Sequence, residues 1–238
     1  MRILKYGGIS CLALALCTGA ASALIVSSGY GQGTPAPKPQ RVRAKLDGFD
    51  IEPKSGKAPN QVGGASRDLG GKLVLYAPKM AKSYTLTPTF LWSSDDPSNE
   101  YLFQISVLSA GQGQVYETKV KGGMLTYPAD APPLVPGSTY VWRVTPVNDL
   151  MGGPASATVL VIGGEERAKV AAALHGDDAA DARVYVANRI WYDALGTYTR
   201  LIQSHPEHAE YWKGRGELYD QLPQTQDLAD ADMARAQH

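Results

Sequence analysis

Tyr101, Phe103, Ile105 and Val107 occupy every second position of one segment. Strict period-two alternation puts these side chains on one face of a pleated strand, a pattern no helix can present. The same spacing recurs at Tyr140, Trp142 and Val144, and again at Ala157, Val159 and Val161. Shorter apolar runs lie between turn signals. Leu73-Val74-Leu75-Tyr76 ends at Pro78, and Phe90 shares a face with Trp92. Gly111-Gln112-Gly113 turns the chain into Val115 to Val120, and Met124 to Tyr127 precedes Pro128. Seven short strands over about ninety residues, punctuated this often, fit a β-sandwich.

The segments around this block have other signatures. Arg2 and Lys5 precede an apolar centre from Ile9 to Leu16, and Ala21-Ser22-Ala23 supplies small residues at cleavage spacing. Residues 1–23 are expected to be a secretory signal peptide cut between Ala23 and Leu24. The apolar run continues through Leu24-Ile25-Val26, close to the roughly 20 residues that span a bilayer, so an uncleaved anchor is the alternative. A lipoprotein would need a small residue before its cysteine; Cys17 follows Leu16, and Cys11 sits too early. Residues 24–71 read as a flexible linker, rich in Gly, Pro and Thr from Tyr30 to Gln40 and punctuated by Gly63-Gly64 and Gly70-Gly71. Its basic cluster Lys38, Arg41, Arg43 and Lys45 is followed at once by Asp47, Asp50 and Glu52, as in a solvated linker.

Composition narrows the function classes. Hydrophobic residues make up 44% of the chain and the mean hydropathy is -0.22, values of a globular protein rather than a multi-span membrane protein. The charge is balanced at 23 basic and 23 acidic residues, and cleavage would remove Arg2 and Lys5 to leave -2. That balance offers no electrostatic footprint for nucleic acid. Both cysteines, Cys11 and Cys17, fall in the expected leader, so a mature chain has no disulfide and no cysteine zinc site.

Beyond residue 163 the signals become helical. Gly163-Gly164 precedes Glu165 and Glu166, acids suited to a helix N-terminus. Ala168 to Leu174 stops at His175-Gly176, Asp177 or Asp178 can cap the next helix, and Pro206 and Pro223 mark later ends. The domain organisation expected is therefore 1–23 signal peptide, 24–71 linker, 72–163 sandwich, 164–226 helical region and 227–238 disordered C-terminus.

The sandwich segment resembles fibronectin type III modules, with Trp92 at the place of the core tryptophan on the second strand. Leu134, Pro136, Gly137 and Tyr140 match a Leu-x-Pro-Gly-x-x-Tyr pattern. The resemblance implies that Tyr140 closes a corner by bonding to upstream backbone, and that Trp142 fills the place of an immunoglobulin cysteine. The helical segment resembles tetratricopeptide repeats: Tyr185 and Tyr219 are one 34-residue period apart. Ala194, Tyr198 and Pro206 sit at the second-helix offsets, and Trp212, Gly216 and Tyr219 at those of the next first helix, although Arg215 replaces the usual Leu. The fold class expected is thus mainly β, a seven-stranded immunoglobulin/fibronectin III-like sandwich with a short tetratricopeptide-like helical tail. From about residue 60 onward the chain also resembles an exported bacterial family known only as a domain of unknown function, number 928. Leu75-Tyr76-Ala77-Pro78, Pro88-Thr89-Phe90-Leu91-Trp92, Ala131-Pro132-Pro133-Leu134, Tyr140-Val141-Trp142 and Ile190-Trp191-Tyr192-Asp193-Ala194-Leu195 carry that resemblance. It implies export and a sandwich-plus-helices plan, and no activity.

Chemistry is sparse. His205-Pro206-Glu207-His208 lacks the His-Glu-x-x-His order, and Pro206 would interrupt a helix, so a loop is expected there and no metal or other cofactor. Asp95-Asp96-Pro97-Ser98-Asn99 reads as a turn, and no Gly-x-Ser-x-Gly occurs. The function expected is a non-catalytic binding or scaffolding module of the periplasm or cell exterior, with protein or cell-wall polymer as partner. Nucleic acid is not expected, and membrane only through an uncleaved N-terminus. The alternatives are a carbohydrate-binding sandwich using Tyr84, Tyr116 and Tyr127, or an envelope enzyme with an unfamiliar site. Trp92, Tyr140, Trp142, Tyr198, Trp212 and Tyr219 are expected to be structural. Trp191, Tyr192 and Tyr211 lie outside the repeat pattern and need a cover, either the sandwich or a binding partner.

Overall fold

The computed structural model describes Phe49 and residues 73–94, 98–108, 113–148 and 153–237. The expected signal peptide and its cleavage residues Ala21 and Ala23, the linker apart from Phe49, and the Asp95-Asp96 turn lie outside these residues. Seven strands precede five helices: β1 (Met80–Ser83), β2 (Thr89–Leu91), β3 (Glu100–Val107), β4 (Gln114–Lys121), β5 (Met124–Thr126), β6 (Thr139–Pro146) and β7 (Ala155–Val161), then α1 (Gly164–Ala173), α2 (Asp178–Ala187), α3 (Trp191–Ser204), α4 (Ala209–Tyr219) and α5 (Gln226–Arg235). A five-stranded sheet runs β1-β7-β6-β3-β4, and β2 pairs with β5. All pairs are antiparallel except β1 with β7, which makes the larger sheet mixed.

The alternation works as its spacing requires. Tyr101, Phe103 and Ile105 on β3, Tyr140, Trp142 and Val144 on β6, and Ala157, Val159 and Val161 on β7 are all buried. Registry stacks them across the sheet: Ile105 faces Trp142, and Trp142 faces Ala157. Phe90 of β2 closes the layer, with its ring centroid 5.1 Å from Phe103 and 4.9 Å from Trp142.

The first strand departs from expectation. Leu73-Val74-Leu75-Tyr76 makes only an isolated bridge, Leu75 to Trp92, flanked by the bonds Tyr76 N to Leu91 O and Ser93 N to Val74 O. The full strand β1 comes after Pro78. Its inward residues are Ala81 and Ser83, too small or too polar to register as a hydrophobic alternation. Ser83 tolerates burial because its hydroxyl donates to the Asp193 carboxylate at 2.9 Å.

That bond belongs to the seam that joins helices to sheet. The described residues all fall within one compact unit. α3 is buried along its first nine residues, Trp191 to Thr199. Trp191 Nε1 donates to the Tyr76 carbonyl at 3.1 Å. The Tyr192 hydroxyl accepts from Trp142 Nε1 at 2.8 Å and donates to the Thr158 carbonyl at 3.3 Å. Asp193 accepts from Ser83 Oγ, Tyr84 N at 2.8 Å and Thr85 N at 2.7 Å. Burial pushes the Asp193 carboxyl up, against the opposing pull of these three donors. Gly196 lets the helix reach β2: a Cβ there would lie 3.1 Å from Thr89 Cβ. The helices are thus docked, as their surplus aromatics require.

Two boundaries need correction. Phe49, inside the expected linker, is buried, with its ring edge-on to Trp191 at 5.1 Å. The expected disordered C-terminus contains α5. Its sequence is polar and carries no strong apolar stripe, but Asp232 accepts two bonds from Arg215, at 2.7 and 2.9 Å, and the Arg235 guanidinium lies 4.5 Å over Trp212. Ala229 is buried beside them. These tertiary contacts supply what local propensity does not.

Buried phenols give the unit an alkaline limit. Burial raises Tyr192 and Tyr219 well above the ordinary tyrosine value, and pushes Tyr127 up to about 12. A group whose folded pKa is raised is easier to deprotonate once unfolded. Stability is therefore retained below about pH 10 and lost as pH rises from there towards 12. Urea melts across that range, followed with tyrosinate absorbance, should show the midpoint falling before the folded phenols ionise.

Candidate functional site

Each residue expected to be structural is buried: Trp92, Tyr140, Trp142, Tyr198, Trp212 and Tyr219. The Tyr140 hydroxyl accepts from Val135 N at 2.8 Å, and Trp212 Nε1 donates to the Pro206 carbonyl at 2.7 Å. Trp92 Nε1 is buried with no hydrogen-bond partner among the described residues. The binding role considered for Trp191 and Tyr192 is corrected. Trp191 is 0% and Tyr192 2% exposed, both covered by the chain's own strands and by Phe49, so neither ring can stack on a ligand. Tyr211 is half-buried and stacks on His208, with centroids 5.0 Å apart.

The aromatics considered for carbohydrate do not form a platform. Tyr127 is buried and donates to the Pro132 carbonyl at 2.6 Å. Tyr116 packs edge-on to it at 70°, and Tyr84 lies under the Arg167 guanidinium, 4.4 Å from its ring centre.

A surface concavity lies among the helices. α2 and α4 flank a groove of about 380 Å³ whose floor is the Tyr198 ring of α3. Arg183, Val186 and Ala187 line it from α2; Glu210, Lys213, Gly214 and Glu217 line it from α4. Gly214 makes the floor possible, since a Cβ there would sit 2.4 Å from the Tyr198 ring. Burial raises the Tyr198 phenol first of all, with Arg183 pulling down and Glu217 pushing up. The groove therefore has an apolar floor and rims carrying both signs of charge. Gly214→Ala should displace Tyr198 and cost about 1–3 kcal/mol, read as a lower urea midpoint with an altered near-ultraviolet tyrosine signal. The sequence marks Tyr198 through its repeat offset. Nothing in it singles out Arg183, Lys213 or Gly214, because a groove between helices is defined only once they pack.

At one end of the groove, the turn between α3 and α4 gathers polar groups. Glu207 Oε1 lies 3.6 Å from His205 Nδ1 and 3.5 Å from His208 Nε2. The opposite nitrogen of His208, Nδ1, lies 3.2 Å from Glu210 Oε1. The Glu210 carboxyl is held below the usual range, chiefly by its own backbone N–H and then by His208.

Among the described residues, seven strands, five helices and a charged groove define a sheet-and-helix domain. The chain belongs to the family described as Domain of Unknown Function (DUF928), which matches it over residues 62–232. That span includes the seven described strands and reaches into α5. No curated protein matches the chain. Among solved structures, it shows a faint similarity to the crystal structure of a multi-domain immunophilin from Arabidopsis thaliana. Identity there is 7%, coverage is 72% of this chain and 99% of that chain, and the TM-score of 0.21 carries no fold argument.

Proposed function

We propose that this chain is an exported protein of the cell envelope that binds another protein in the groove between α2 and α4, and that it is not an enzyme. The observation that carries this reading is the groove itself. An apolar floor at Tyr198, with Arg183 on α2 and Glu210, Lys213 and Glu217 along α4, suits an extended polypeptide carrying both charges. In the finer reading, the two sheets are a fibronectin III-like sandwich. The order β7-β6-β3-β4, the separate β2-β5 pair and the Tyr140 corner support it. The helices are then tetratricopeptide-like hairpins, and the register of Tyr198, Trp212 and Tyr219 supports that assignment. The sandwich acts as the rigid base and the helices as the reading surface.

A photoreactive residue in place of Val186 or Lys213, in the full chain expressed in its native envelope, should form a discrete protein adduct. Ala187→Trp, which fills the groove from an exposed position, should abolish it. Absence of an adduct, or one that survives Ala187→Trp, would remove the binding assignment. N-terminal sequencing of the periplasmic form should begin at Leu24; an intact Met1 in the membrane pellet would replace export with anchoring.

A further inference from the structure

We propose that the α3–α4 turn is a divalent transition-metal site, with zinc the ion its donors suit best. His205, Glu207 and His208 are the ligands, and Glu210 orients His208. The ligand-bearing atoms of the three residues lie within 4.8 Å of one another. Two imidazoles and one carboxylate form a donor set that zinc takes with a fourth position open. Zinc–nitrogen and zinc–oxygen bonds of about 2.0–2.2 Å place neighbouring ligands of a tetrahedron ~3.4 Å apart. The Glu207 oxygen is already 3.6 and 3.5 Å from the two ring nitrogens. The three ligand-bearing atoms would close from within 4.8 Å of one another to that spacing by rotation of exposed side chains.

Glu210 bears on the same cluster. Its carboxylate oxygen lies 3.2 Å from His208 Nδ1, the ring nitrogen opposite the one that faces Glu207. A carboxylate behind a metal-binding imidazole is also the usual outer arrangement of such sites, fixing tautomer and ring direction.

The backbone holds the ligands in place. Trp212 Nε1 bonds to the Pro206 carbonyl inside the turn, and the Tyr211 ring stacks on His208. The His-Pro-Glu-His order is wrong for one helical face, but a turn brings the same side chains together by another route. Because Glu210 also lines the groove, an ion here would sit at the groove's end with a coordination position free.

The test is direct binding of the metal alone to the untagged full-length protein. Titration with zinc by calorimetry and with cobalt by visible absorption should show one equivalent, and a cobalt band of four-coordinate character. His208→Ala or His205→Ala should weaken binding at least tenfold. Glu210→Gln should weaken it about tenfold while the cobalt band persists. His175→Ala, at a histidine outside the cluster, should change nothing. All these positions are exposed at helix ends, and unchanged far-ultraviolet spectra would verify that the variants fold. The proposal is overturned if no stoichiometric uptake occurs, if His208→Ala binds as the parent does, or if His175→Ala weakens binding equally.

Discussion

Trp142→Ala is expected to lower the unfolding free energy by about 3–5 kcal/mol, the cost of truncating a buried tryptophan. A domain of this kind has only about 5–15 kcal/mol in total, so the variant should be close to unfolded at ambient temperature. Trp142 is fully buried at the centre of β6. Its ring contacts Phe90 at 4.9 Å and Tyr192 edge-on at 6.3 Å, and its Nε1 donates to the Tyr192 hydroxyl. It therefore belongs at once to the aromatic cluster with Phe90 and to the seam with α3. Urea melts should show one cooperative transition, with strand and helix signals lost together. A shift under about 1 kcal/mol would mean that the ring is not packed as described.

The second large effect should come from Asp193→Ala, about 3–4 kcal/mol. The change leaves the N–H groups of Tyr84 and Thr85 without their acceptor in a buried seam, and each such orphan costs about 1–3 kcal/mol. The Ser83 hydroxyl loses the same acceptor but keeps the Thr85 carbonyl at 3.1 Å. Asp193→Asn isolates the cause. The amide keeps the shape but turns an NH2 towards donors, so it should recover only part of the loss. A pure packing role would make asparagine as good as aspartate. Hydrogen exchange should show β1 and α3 opening together in Asp193→Ala, while β3, β4 and β6 keep their protection.

The strands with regular alternation were legible because their burial is a local property. Tyr101, Phe103, Ile105, Tyr140 and Trp142 each announce a face by chemistry and spacing, whatever lies opposite. β1 was not legible, since Ala81 and Ser83 carry no hydrophobic signal and Ser83 is buried only because Asp193 arrives from 110 residues away. For the same reason, Asp193 stood inside a family-like segment without a visible role. Trp191 and Tyr192 were identified as needing cover, but identifying the cover required the positions of Tyr76, Phe49 and Trp142.

The helices divide along the same line. Asp177 caps α2 by accepting from Ala180 N at 2.7 Å, and Gly176 takes φ +76 before it. Both are short-range choices that the residues themselves dictate. α5 is the opposite case, helical through an ion pair and a cation–π contact made to α4. The sequence by itself determined where β3, β6 and β7 alternate, where α1 stops and α2 starts, and which aromatics must be buried, because these follow from side-chain chemistry at fixed local spacing. The tertiary structure decided that helices and sheets are one unit. It also brought Arg183 and Lys213 around Tyr198, and turned His205, Glu207 and His208 towards one point. Those arrangements depend on relative positions of elements, which no local periodicity encodes.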